Sequence, residues 1–288
     1  MSLEEQFSNT NIEFNTIGRN KYEHLKSLGY DNLTEIQKNQ ILIYETKNVQ
    51  ATTEQIEKEK KYFETIRNPI AKKEYSITAK ELWESFKFNF TIVNNRPFIK
   101  IGGIDGVSVK NLEPLIYYFS KDERFFHCEN ISKLSVPSFD KGLLIIGNYG
   151  NGKTSTMRVF EHIFKGISGF GFKGYTANEV VTMFEKCGKD IDKDEFAKIM
   201  WRGTRYFDDL KTERVASNFG KVNIFKEILE ERYSRKSKTY CTMNFKEGFK
   251  DNVEEAVNEI IDKYGERIYD RVFEMFNIIE FKGESFRK

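Results

Sequence analysis

The run Gly147-Asn148-Tyr149-Gly150-Asn151-Gly152-Lys153-Thr154 constrains this chain more than any other stretch. Its glycines permit backbone angles that other residues resist, so successive N–H groups can turn inward toward an anion. The apolar run Leu143-Leu144-Ile145-Ile146 just before it reads as a strand buried on both faces of a parallel sheet. After it, Met157, Phe160, Ile163 and Phe164 recur at helical spacing. Strand, glycine loop and helix in this order predict a phosphate-binding loop for ATP. The helix N-terminus adds partial positive charge, Lys153 reaches the β- and γ-phosphates, and the Thr154 hydroxyl ligates Mg2+. Residues Gly147 to Thr154, with Ser155, are therefore the expected ATP-binding set.

A site that hydrolyses ATP also needs carboxylates at the end of a neighbouring strand. Tyr206-Phe207-Asp208-Asp209-Leu210 is the candidate. Asp208 is expected to hold the magnesium shell, and Asp209 to orient or deprotonate the attacking water. Arg205 departs from the apolar pattern of such a strand. Further strand-like runs lie at Thr239 to Met243 and Ile278 to Phe281. Amphipathic helices carry Val222, Phe225, Ile228 and Leu229, then Val253, Val257, Ile260 and Ile261. Strands alternating with helices imply an α/β domain with a mainly parallel sheet flanked by helices.

The first third has a different texture. No Pro or Gly interrupts Leu33 to Arg67, and Leu33, Ile36, Ile41, Ile56 and Ile66 are thinly spread among Lys, Glu and Gln. That reads as a charged surface helix, or one awaiting a partner. Thr78-Ala79-Lys80-Glu81 fits a capping box opening a helix with Leu82, Trp83, Phe86 and Phe90. Phe98-Ile99-Lys100-Ile101 followed by Gly102-Gly103 suggests a short strand and turn. The expected division is a mostly helical, partner-binding segment 1–110 and an ATPase domain 111–288.

Charge excludes little. The formal net charge is +2, so nucleic-acid contact would come from a local patch or from assembly rather than from a strongly basic chain. Cys128, Cys187 and Cys241 form no CxxC pair or zinc spacing, as expected for reduced thiols in a cytoplasmic protein. The N-terminus is polar and acidic, and no apolar run approaches the ~20 residues of a membrane helix. The Lys-, Asn-, Ile- and Phe-rich composition suggests an AT-rich genome, as of a phage or mobile element.

Several blocks resemble a known family. Lys141-Gly142-Leu143-Leu144-Ile145-Ile146-Gly147 leading into the phosphate loop resembles the opening of the AAA+ domain in helicase loaders of the DnaC/DnaI type and in IstB-like transposition ATPases. Phe207-Asp208-Asp209-Leu210-Lys211-Thr212-Glu213-Arg214 is similar to their Walker B block, Asp-Asp-Leu-Gly-x-Glu, with Lys211 in place of the glycine. Thr242-Met243-Asn244 is similar to their Thr-x-Asn, which implies Asn244 as the sensor-1 residue. Tyr264-Gly265-Glu266-Arg267-Ile268-Tyr269-Asp270-Arg271 resembles their Gly-x-Arg-x-x-x-Arg segment, which implies Arg267 and Arg271 as arginine fingers. The close, Phe281 to Arg287, resembles theirs too, and implies Arg287 as a second sensor of ATP. Arg267 and Arg271, four apart, share one face of a helix. The blocks cover residues 141 to 288.

What the resemblance implies is an AAA+ ATPase that loads a replicative helicase onto single-stranded DNA. Hydrolysis would occur between subunits stacked head to tail in a ring or spiral. Lys165, Lys173 and Tyr175 are candidates for lining DNA, against their ordinary reading as surface residues. The alternative is a transposition-regulating ATPase that acts on duplex DNA and recruits a transposase. A small-molecule kinase is a further reading, but only Arg158, Arg202 and Arg205 lie between the loop and Asp208, too few for an arginine-rich lid. Lys211 keeps open a nucleotide-binding scaffold without turnover.

Overall fold

Side chains alternate across the strand Gly142–Gly147 (β1), and both sets are fully buried. Leu143 and Ile145 enter one apolar cluster while Leu144 and Ile146 enter another. A strand with period 2 and no polar side must be covered by helices on both faces. Each of these residues contributes about 2 kcal/mol by leaving water. The computed structural model describes residues 17–46, 57–58, 75–100, 103, 106–218 and 220–286.

The chain divides into two compact units, Met1–Glu74 and Tyr75–Lys288. The first contains α1 (Arg19–Ser27) and α2 (residues 35–46). Leu25, Leu33 and Ile41 form its small core, and Tyr22 stacks on Tyr44 with centroids 4.3 Å apart. The rest of the helix expected across residues 33–67 lies outside the described residues, apart from helical positions 57–58.

The second unit runs α3 (Ala79–Asn94), α4 (Val107–Ser120), β1, α5 (Lys153–Ile163), β2 (Lys173–Thr176), α6 (Ala177–Glu185), α7 (Asp190–Trp201) and β3 (Arg205–Asp208). A two-residue hairpin of β4 (Ala216–Ser217) and β5 (Lys221–Val222) follows. Then come α8 (Ile224–Ser234), β6 (Thr239–Asn244), α9 (Val253–Tyr264), α10 (Glu266–Met275) and β7 (Phe276–Phe281). The main sheet has strand order β2-β3-β6-β1-β7, and every paired neighbour is parallel. Helices α3, α4 and α5 cover one face, and α6 to α10 the other. The β7 edge is closed by an antiparallel bridge between Ile131 and Ile279. This is the α/β fold, a mainly parallel sheet flanked by helices, that the sequence implied.

Three details differ from the expectations. The units part at Glu74 and Tyr75, not near residue 110. The reason is packing: Leu82, Phe86 and Phe90 recur every four residues along α3 and enter the sheet's core, with Phe86 against Phe160 of α5 at 5.1 Å. Helix α3 does open with the expected capping box, Thr78 and Glu81. Residues 98–100 form no strand. Phe98 instead meets Trp83, Phe86 and Phe90 edge-on, so its ring is an aromatic plug against α3. Helix α8 begins at Ile224, and Val222 belongs to the hairpin.

Candidate nucleotide-binding site

Parallel pairing brings the C-terminal ends of three strands together. Gly147 of β1 pairs with Asn244 of β6, and β6 lies beside β3, which ends at Asp208. Ligands of open α/β sheets bind outside such ends. The phosphate loop leaves β1 here. A Cβ on Gly147 would stand 2.4 Å from the Phe281 carbonyl, so no side chain fits. Gly152 has φ = 94° and precedes α5 with no side-chain cap. Gly152 at the N-cap thus offers no side-chain acceptor to the first turn of α5, as suits an anion site.

Lys153 is buried at the start of α5. Its Nζ donates to the carbonyls of Gly147 and Asn148, both at 2.8 Å, to Asn151 Oδ1 at 3.2 Å and to Asn244 Oδ1 at 3.1 Å. The loop therefore wraps its own cation, and the sensor-1 candidate is already in contact with it. Asn151 Nδ2 donates to the Phe281 carbonyl at 2.8 Å, pinning the loop to the end of β7. Asn148 Nδ2 reaches the Gly283 carbonyl at 3.3 Å, and the Phe286 N–H donates to the Gly150 carbonyl at 2.9 Å. The segment after β7 thus crosses the loop. Arg287 lies outside the described residues. Tyr149 is exposed at the loop crest, whereas Ser155 is half-buried in α5.

On the other side stands Asp208, 4% exposed. Its Oδ1 accepts from the hydroxyls of Thr154 at 3.0 Å, Thr242 at 2.6 Å and Tyr206 at 2.5 Å. Burial, reinforced by the adjacent Asp208 charge, pushes the Tyr206 phenol well above its ordinary pKa, so it stays a donor. Thr242 Oγ1 also accepts the Asp209 N–H at 3.0 Å. Asp209, with φ = 55°, follows the strand end, and Asn244 Nδ2 is 3.5 Å from its carboxylate. Thr154, Asp208, Asp209, Asn244 and Lys153 therefore form one connected polar cluster.

The pairing of Thr154 with Asp208 suits a hard divalent cation, which takes oxygen ligands and often keeps only one or two from protein beside phosphates. Among the described residues no group of three His, Cys, Asp or Glu side chains could hold a metal ion by itself. Magnesium would depend on this hydroxyl and carboxylate together with the nucleotide.

Arg267 and Arg271 do share a face of α10, and Ile268 and Val272 are buried beneath them. Their partners are on α8, not on the phosphate loop. Arg267 is 3.9 Å from the Glu230 carboxylate, and the Arg271 guanidinium lies 4.5 Å from the centre of the Tyr233 ring. Of the DNA-lining candidates, Lys165 and Lys173 are exposed and Lys173 is 3.3 Å from Glu161. Tyr175 is half-buried and packed against the core, so it is not the ordinary surface residue of the other reading.

Sequence reasoning missed Tyr206 and Thr242 as supports of Asp208. Alternation along a strand was the available signal, because 206 and 208, and 242 and 244, must share a face. It also assigned nothing to Glu213, which is 4% exposed and accepts from the Tyr264 hydroxyl at 2.7 Å. Its second oxygen, Oε2, is buried with no hydrogen-bond partner, and burial raises its pKa.

No protein-family model and no curated protein matches the sequence. Among solved structures, the chain is similar to the DnaC helicase loader at 21% identity. That match covers 50% of this chain and 79% of the other, with a TM-score of 0.41. It is also similar to DnaI at 20% identity, over 60% of this chain and 85% of that one, with a TM-score of 0.41. No described helix is long and apolar enough to cross a membrane.

Proposed function

We propose that this chain is an ATP-dependent AAA+ ATPase that loads a replicative DNA helicase onto single-stranded DNA. The observation that carries the ATPase half is the convergence of Lys153, Thr154, Asp208 and Asn244 at adjoining strand ends. Lys153 and the N–H groups of Gly147 to Ser155 bind the phosphates. Thr154 and Asp208 hold Mg2+, which supplies charge neutralisation on the phosphate oxygens. Asp209 orients or deprotonates the attacking water, and Asn244 positions it against the γ-phosphate. Arg271, with Arg267 beside it, serves the γ-phosphate of a neighbouring subunit, which fits their resting on Tyr233 and Glu230 of α8 in this chain. Arg287 senses ATP in the same reading.

The helicase half rests on the Walker B, Thr-x-Asn and Gly-x-Arg-x-x-x-Arg blocks, which occur in the order found in loaders. Subunits stack into a ring or spiral, and the N-terminal unit, Met1–Glu74, docks the helicase. The test is transfer of a purified hexameric replicative helicase onto closed circular single-stranded DNA. ATP-dependent transfer that the Lys153→Ala variant cannot perform is the expected result. Failure to transfer helicase, combined with ATP-dependent coating of duplex DNA and capture of a transposase, would replace this reading with the transposition one.

A further inference from the structure

Lys211 stands where the resemblance expects glycine, yet the backbone keeps a glycine-like conformation, with φ = 76°. Residues with a Cβ resist that region, so local energetics alone would not place a lysine there. The side chain shows what holds it. It is 12% exposed, and its Nζ donates to the Asn244 carbonyl at 3.1 Å and the Ala256 carbonyl at 3.4 Å, and pairs with the Glu259 carboxylate. Its N–H donates to the Tyr264 hydroxyl at 3.0 Å. One residue thus joins the turn after Asp208 and Asp209, the last residue of β6, and helix α9.

We propose that Lys211 is a positioning residue for ATP hydrolysis, a tether that fixes the main chain of Asn244 relative to Asp209. The proposal rests on the ATPase reading above. Asn244 uses its side chain on both sides of the site, with Oδ1 on Lys153 and Nδ2 toward Asp209. Its reach is set by where its backbone sits, and β6 ends at that residue. The carbonyl of Asn244 is the group that Lys211 holds, while Glu259 and the Ala256 carbonyl anchor the ammonium to α9. A glycine at 211 would adopt the turn without strain but could not hold β6. Displacements on the order of 1 Å in a reacting constellation cost about 100-fold in rate, so a lost tether affects turnover before it affects nucleotide binding.

The experiment measures ATP affinity, kcat and melting temperature for wild type, Lys211→Gly, Lys211→Arg and Glu259→Gln in the full chain. Lys211→Gly relieves backbone strain while removing the tether, so it separates folding from positioning. The expected result is an ATP affinity within about twofold of wild type, a kcat lower by about tenfold in Lys211→Gly, and substantial recovery in Lys211→Arg. Glu259→Gln should lower kcat by a smaller factor. A Lys211→Gly variant with wild-type kcat overturns the proposal and leaves the ATPase reading intact. Loss of ATP affinity and melting temperature in step with kcat also overturns it, because the residue would then be structural only. A wild-type chain that binds no ATP and has no turnover overturns the ATPase reading, and this proposal with it.

Discussion

The Thr154 hydroxyl donates to the Asp208 carboxylate across 3.0 Å, joining the phosphate loop to the end of β3. Because Tyr206 and Thr242 donate to the same oxygen, that carboxylate is held in one orientation before any ligand arrives. Preorganised charge is worth most where water is excluded. Asp208→Asn should therefore bind ATP but hydrolyse it roughly 100-fold more slowly. Steady-state turnover beside equilibrium binding checks this. Tyr206→Phe, which removes one donor and keeps the ring, should lose about tenfold at most.

Arg271 rests on Tyr233 of its own chain, on α8. If it completes a neighbour's site, two defective chains can repair each other. Arg271→Ala and Asp209→Asn should each be inactive alone. Mixing them should restore about a quarter of wild-type turnover, because about one junction in four pairs an intact finger with an intact carboxylate. Hydrolysis measured across mixing ratios checks it, and a flat, inactive series would mean that the finger does not act in trans.

Arg232 is fully buried, yet among the described residues no carboxylate pairs with it. Its guanidinium donates to Thr239 Oγ1 at 2.8 Å and to the carbonyls of Met200, Gly203 and Lys238 at 2.6, 2.8 and 2.7 Å. It thereby staples the end of α7 to the entries of β3 and β6. Arg232→Met keeps the volume, takes the guanidinium donor from the Met200 and Gly203 carbonyls and leaves that of Lys238 only the Arg205 N–H, which should cost about 3 kcal/mol. For a domain of this size that corresponds to a melting temperature lower by about 10 °C. Scanning calorimetry measures it.

Much of the site was legible because its signals are local. The glycine loop, Asp208 after two aromatics, and Asn244 at the end of an apolar strand each declare themselves within a few residues. What supports them was not legible. Arg232 reads as one more charge on a charged helix, because its partners are carbonyls, which no sequence marks. Lys211 reads as a broken motif, because its compensation comes from Glu259 and from a main-chain oxygen. Phe98 reads as strand because aromatic residues favour strands, but three rings of α3 offered it a better-packed place. Helix α3 reads as part of a partner-binding segment because nothing local announces that Phe86 will meet Phe160.

Glu213 brings a pH dependence. Burial raises its folded-state pKa above its ordinary value, so the folded chain binds this proton more tightly than the unfolded one. Its contribution to stability is fully present below the ordinary carboxylate range and is lost as pH rises through the raised value. Glu213→Gln, which is neutral throughout, should remove this component. The difference in unfolding free energy between variant and wild type should therefore favour the variant increasingly as pH rises above the ordinary carboxylate range. Urea unfolding of both proteins at several pH values measures that difference.

On the proposed reading, the loop from Gly147 to Ser155 is an ATP site completed by Asp208. Titration calorimetry of the full chain with ATP and Mg2+ tests it most directly, using wild type and Lys153→Ala side by side. The expected result is one ATP per wild-type chain, with affinity at least about 100-fold weaker in Lys153→Ala and clearly weaker in wild type when Mg2+ is withheld. Equal binding by both proteins, or none by either at millimolar ATP, would contradict it.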